Sequence, residues 1–180
     1  MHFFRVMSAA VAVALAACGQ AAAPSDAEAQ PATQSATVGL SASDKTAILR
    51  QMSLSADARG QVENECGEKV TPQFLSAALG GPVGTATLFV MEGGPNTATC
   101  YGDGPDLHLM KREGAAFREI YSARGRMIIV LPTLTGGVHD IADGGPGFSF
   151  PVWKWNGTDY ADSGRHISDQ ESARGAVYLP

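Results

Sequence analysis

The chain has 180 residues, 44% hydrophobic and 17% charged, with 21 glycines and 10 prolines. That composition is globular and long enough for one domain with a real core, and its glycine and proline content favours a turn-rich, mainly β architecture over a helix bundle. Thirteen basic against 18 acidic residues give a net charge of −5 with the charges scattered, so nucleic acid and anionic headgroups are poor partners.

At the amino terminus, His2 and Arg5 form a short basic region, and Val6 to Ala17 is apolar with Ser8 as the interruption. The run is shorter than the ~20 residues needed to span a bilayer and has the length of a signal-peptide apolar segment. It closes on Leu15-Ala16-Ala17-Cys18. This motif resembles the lipobox of bacterial lipoproteins, where signal peptidase II cuts ahead of a cysteine whose thiol has been lipidated. The resemblance implies that residues 1–17 are a signal peptide and that Cys18 is the lipidated first residue of the mature chain. The alternative is a general secretory signal in which Cys18 is incidental. In lipoproteins of this type an Asp after the cysteine favours inner-membrane retention; here Gly19 follows. The resemblance therefore implies a membrane partner through the lipid, on the periplasmic side of an outer membrane. One acyl chain anchors marginally, whereas two or three hold firmly. Without residues 1–17, which carry Arg5 and no acid, 12 basic residues face 18 acidic ones, a net charge of −6.

Residues 18–39 read as the lipidated cysteine and a flexible tether. From Gln20 to Gly39 there are no aromatics and no large apolar residue except Val38, too little to offset the ordering entropy. The alanines suggest helix, but Pro24 and Pro31 break it into short pieces. A coil of this length reaches ~25 Å. Two further cysteines, Cys66 and Cys100, form an even pair in an exported chain and are expected as a disulfide. A redox or metal pair is the alternative, although no Cys-x-x-Cys is present.

Residues 40–180 read as a single periplasmic β-rich domain. The expected fold is α+β, mainly β: an antiparallel meander sheet with a short N-terminal helix and one disulfide. The helix is predicted from Ser43 as N-cap, with Ala47, Ile48, Met52 and Leu54 as its apolar stripe. Ala58 to Val70 reads as a polar, solvated segment pinned by its disulfide, with Glu63, Glu65 and Glu68 around Cys66 as an alternative metal-ligating trio, and Pro72–Leu79 reads as a short helix or strand. Strands are predicted at Thr85–Met91, Asp106–Arg112, Phe117–Ser122, Arg126–Leu131 and Phe148–Trp155. Glu113–Ala116 is expected to turn a hairpin. Asn156-Gly157 predicts a type I′ turn, with Thr158–Ala161 as the return strand. Ser168 to Glu171 has the form of a capping box for a short helix, or of polar loop before Ala176–Leu179.

Gly-Gly-Pro occurs at residues 80–82, 93–95 and 144–146, an echo that ordinary turn chemistry also explains. The stretch from His139-Asp140-Ile141 through Gly144 and Phe148 to Trp153, Trp155, Asn156-Gly157 and Tyr160 resembles a hairpin of uncharacterised proteobacterial envelope proteins, a resemblance that implies no activity. It also resembles, faintly, the Asp/Gly-rich repeats of calcium-binding propellers. Asp103 and Asp106 would be the ligands, but the alternating carboxylates of such loops are missing. No nucleophile elbow, Walker loop, dinucleotide fingerprint or His-Glu-x-x-His is present, so no catalytic residues and no cofactor are assigned. His139, Asp140 and Asp143 are the metal candidates, weak because adjacent strand residues face opposite ways. His108, inside a predicted strand, reads as a surface or satisfied core residue.

Alternation places Phe148, Phe150 and Val152 on one strand face and Trp153 and Trp155 on the other. Two exposed indoles would suit a sugar ring or a partner's apolar patch; the alternative is a sheet covered on both sides. The sequence thus points to a lipid-anchored, non-catalytic envelope accessory protein that binds a periplasmic protein or a peptidoglycan-derived ligand. A metal-assisted hydrolase built on His139, Asp140 and Asp143, or a purely structural envelope lipoprotein, are the other readings.

Overall fold

In the computed structural model, the described residues are 39–94, 102, 104–125, 127–145 and 149–180. Cys18, the tether up to residue 38, Cys100, Asp103 and Phe148 lie outside them.

Helix α1 is Ala42–Gln51, and its N-cap is Ser41, two residues earlier than predicted. Ser41 accepts from the Asp44 N–H at 3.1 Å, and the Asp44 carboxylate accepts from the Ser41 N–H at 3.2 Å, a reciprocal box that Ser43 cannot make with Ala47 or Thr46. Asp44 also meets Arg112 at 2.7 Å. That guanidinium, and then the Ser41 hydrogen bonds, hold its carboxyl at about 2. The helix buries Ile48 and Leu49, with Ala47, Met52 and Leu54 partly covered.

Apart from a short second helix, the regular structure that follows among the described residues is antiparallel β. Two-residue strands β1 (Val62–Glu63) and β2 (Lys69–Val70) pair with each other. They close on Asn64, whose Oδ1 accepts from the Cys66 and Glu68 N–H groups. Strands β3 (Gln73–Gly80), β4 (Gly84–Met91), β5 (Asp106–Glu113) and β6 (Ala116–Arg124) form a four-stranded meander in that order. Strands β7 (Met127–Thr135), β8 (Val138–Gly144), β9 (Ser149–Trp155) and β10 (Tyr160–Ser168) form a second meander. Helix α2 (Asp169–Ser172) follows, and β11 (Val177–Leu179) adds to the free side of β7, giving the order β10-β9-β8-β7-β11. The single meander sheet expected from sequence is thus two sheets. The Ser168/Glu171 capping box forms as predicted.

Three apolar clusters explain the strand patterns. Alternate residues of β4 (Ala86, Leu88, Val90) join Leu75, Ala77, Leu79, Leu107 and Leu109 and meet Ile128, Val130, Ile141 and Leu179 of the second sheet in a shared core. On the other side of the first sheet, Phe89, Met91, Met110 and Phe117 pack with Ile48, Leu49, Val62 and Val70. The outer side of the second sheet gathers Ile129, Leu131, Ala142, Phe150, Val152, Ile167 and Ala176. Burial on both faces is why β4 and the start of β7 read as continuous apolar runs instead of alternating.

The turn after β9 departs from expectation. Trp155 pairs with Tyr160, leaving a four-residue connection. Asn156 Oδ1 accepts from the Thr158 and Asp159 N–H groups at 2.9 Å each. Among the described residues Ser53 is the non-glycine with positive φ, so Asn156 does not supply the left-handed conformation that a type I′ turn needs. Its side chain instead builds an Asx turn, the competing use of asparagine at turns. The return strand is correspondingly longer than Thr158–Ala161.

Candidate functional site

The two tryptophans do not form an exposed platform. Trp155 is 5% exposed and belongs to the core shared by the sheets, and Trp153 packs against the same core. Phe150 and Val152 point the other way, into the outer cluster with Ile167 and Ala176. The predicted alternation holds, but both faces of β9 are covered. Sequence had supplied no signal that the segment around Ala176 would cover the outer face.

The metal candidates likewise diverge. Asp140 is 2% exposed, and its two oxygens accept the hydroxyls of Thr133 at 2.7 Å and Thr135 at 2.6 Å. The His139 Nδ1–H donates to the Leu131 carbonyl at 2.6 Å, since a carbonyl can only accept. Pro132 lies between these partners and has no N–H for the ladder, and the β7–β8 register shifts there. The bulge brings Thr133 and Thr135 to Asp140, which commits the carboxylate to structure. Among the described residues no three His, Cys, Asp or Glu side chains are grouped to hold a metal. Asp106, a calcium candidate, is bound by Arg124 at 2.8 and 3.3 Å. Glu63 and Glu65 are engaged by Lys69 and Arg124 respectively.

Asp143 is the member of the set that remains open to chemistry. Its partner on β7 is Ile128. It shares a β8 face with Ile141, which pairs with Trp153, so Asp143 and Trp153 are diagonal neighbours on one face. Across from them stands Tyr121 of β6, edge-on to Trp153 at 5.2 Å and to Tyr160 at 6.1 Å. Trp155 completes the aromatic row, edge-on to Tyr160 at 5.8 Å. The Tyr160 hydroxyl is satisfied, donating to the His139 carbonyl at 2.7 Å. Among the described residues, the Tyr121 hydroxyl and the Trp153 indole N–H are buried without a hydrogen-bond partner. Burial raises the proton affinity of Asp143. Burial, and secondly the Asp143 charge, hold the Tyr121 phenol protonated well above its ordinary range. A pocket of about 220 Å³ opens beside this group, lined by Asp143, Arg124, Gly125, Ser149 and Pro151. Tyr121 was not singled out from sequence; its inward place in β6 was the available signal.

This seam predicts an inverted mutational response. Tyr121→Phe removes an unpaired buried hydroxyl and is expected to be neutral or to stabilise by about 1 kcal/mol. Asp143 has a raised folded pKa, so its contribution to stability is present at low pH and is lost as pH rises through the folded value. Asp143→Asn is expected to stabilise at neutral pH and to flatten that decline. Denaturant midpoints at several pH values check both; a Tyr121→Phe loss above about 1 kcal/mol would show that the hydroxyl has a partner.

The chain matches no protein-family model, no curated protein and no solved structure.

Proposed function

We propose that the chain is a lipid-anchored cell-envelope accessory protein, held on the periplasmic side of an outer membrane by Cys18. On this reading residues 18–39 are the tether and residues 40–180 a non-catalytic module that binds a periplasmic protein or a peptidoglycan-derived ligand. The observation that carries it is Leu15-Ala16-Ala17-Cys18 at the end of the apolar run, followed at once by a polar, alanine- and proline-containing stretch. Among the described residues no helix is long and apolar enough to cross a membrane. Within the module we assign a disulfide between Cys66 and Cys100, the even pair left in an exported chain once Cys18 is lipidated. With both tryptophans packed inward, the binding surface is assigned to the pocket beside Asp143.

Cys18→Ser is the direct test. The variant is expected to leave the membrane fraction and the detergent phase while its domain stays folded. Unchanged detergent partitioning would contradict lipidation at Cys18.

A further inference from the structure

We propose that β3 pairs, antiparallel and about a two-fold axis at Ser76, with β3 of a second copy of this chain, joining two four-stranded sheets into one continuous sheet. The two sheets have four margins: β3, β6, β10 and β11. Three of them are guarded. Strand β10 carries Asp162, Arg165 and His166 and a bulge between Asp162 and Arg165. Strand β11 has three residues. Strand β6 carries Arg118, Glu119 and Arg124, and Arg118 is clasped to Asp159 and to the Thr158 carbonyl at the turn after β9. Bulges, charges and shortness are the devices that keep an edge from pairing.

Strand β3 has none of these over its regular length. It is eight residues, Gln-Phe-Leu-Ser-Ala-Ala-Leu-Gly, without a charge or a proline. Its irregularity lies at the far end, between Ala78 and Gly80. No backbone hydrogen bond of β3 other than those to β4 is found among the described residues. Alternate N–H and C=O groups therefore point outward, with a strand's worth of pairing capacity.

The occupant follows from the sequence of the edge itself. A two-fold axis at Ser76 sets Leu75 opposite Ala77, Phe74 opposite Ala78, and Ser76 opposite its own copy. Each pair lies on one sheet face, because the two positions differ by an even number. Each joins a large side chain to a small one, or two hydroxyls that can hydrogen-bond across the strands. Leu75 and Ala77 already face the shared core, so the apolar side of the joined sheet stays continuous. The chain is acidic overall, and this uncharged edge is where two copies approach without opposing like charges. The contact is isologous, so it closes at two copies and does not propagate.

Ser76→Cys in the full-length chain places two thiols opposite one another on the axis. Oxidation of membranes carrying it is expected to give a covalent homodimer as the main non-reduced species, absent from the unsubstituted chain. Adding Ala78→Lys, at an exposed position, is expected to abolish the adduct. Sedimentation of the detergent-solubilised chain, without the new cysteine, reads the same contact: Ala78→Lys should weaken self-association by at least about tenfold, with a melting curve that matches the parent's at concentrations where both are monomeric. Monomer alone in both measurements, or capture of the introduced thiol by a different protein, would overturn the proposal. Neither outcome touches the anchor at Cys18, which is read separately by membrane fractionation.

Discussion

Trp155→Ala is expected to destabilise the domain by about 3–5 kcal/mol, as much as Phe150→Ala. The two residues sit on opposite faces of one strand, yet are 5% and 7% exposed. Phe150 fills the outer cluster; Trp155 fills the core between the sheets, edge-on to Tyr160 and with the Lys111 ammonium 5.9 Å from its ring centroid. Deleting either ring removes a large apolar side chain and leaves a cavity that close-packed neighbours cannot collapse to fill. An exposed tryptophan would lose only contact area, and its removal would cost well under about 1 kcal/mol. Denaturant titration of the two variants separates these cases. Equal losses place both rings in cores; a small loss at Trp155 would restore the exposed face that the sequence pattern had suggested.

Gly81→Ala is expected to cost about 3 kcal/mol, well above the same change at Gly114. Both glycines have positive φ, +52° and +65°, a conformation that costs an L-residue roughly 1–2 kcal/mol. They differ in surroundings. A Cβ at Gly81 would stand 2.7 Å from the Gly137 carbonyl oxygen and 2.8 Å from its carbon, whereas one at Gly114 would meet nothing within 4 Å. Backbone of the β7–β8 turn cannot swing aside as a side chain would. The difference between the two variants measures how firmly the β3–β4 turn of the first sheet is seated on the β7–β8 turn of the second. Equal losses would mean that the turns part easily, and that the shared core does not depend on this contact.

Much of the strand content was legible because local signals were strong. Thr85–Met91, Asp106–Arg112 and Phe117–Ser122 fall within β4, β5 and β6, and the capping box at Ser168 specifies α2 by side-chain chemistry alone. What stayed hidden depended on neighbours distant in sequence. Strand β8 carries His139, Asp140 and Asp143, polar residues that disguise a strand; Asp140 becomes tolerable inside only because two threonines of β7 reach it. Trp153 and Trp155 alternate as predicted, but which face meets solvent is decided by what packs outside the second sheet. The Gly-Gly-Pro echo dissolves into separate duties: Gly81 seats one turn against another, Gly94 lies against Glu68, and Gly144 leaves room for Met127 and Ile129. The Tyr121–Trp153–Asp143 seam joins three strands and two sheets, so no sequence window contains it.

The lipid anchor proposed at Cys18 is central to the functional reading, and the mass of the mature amino-terminal peptide tests it most directly. Protein extracted from membranes of a bacterial host that processes lipoproteins, digested and analysed by mass spectrometry, is expected to begin at Cys18. That residue should carry a diacylglyceryl thioether and an acylated amine. A mature chain beginning elsewhere, or a Cys18 peptide at its unmodified mass, would contradict the account.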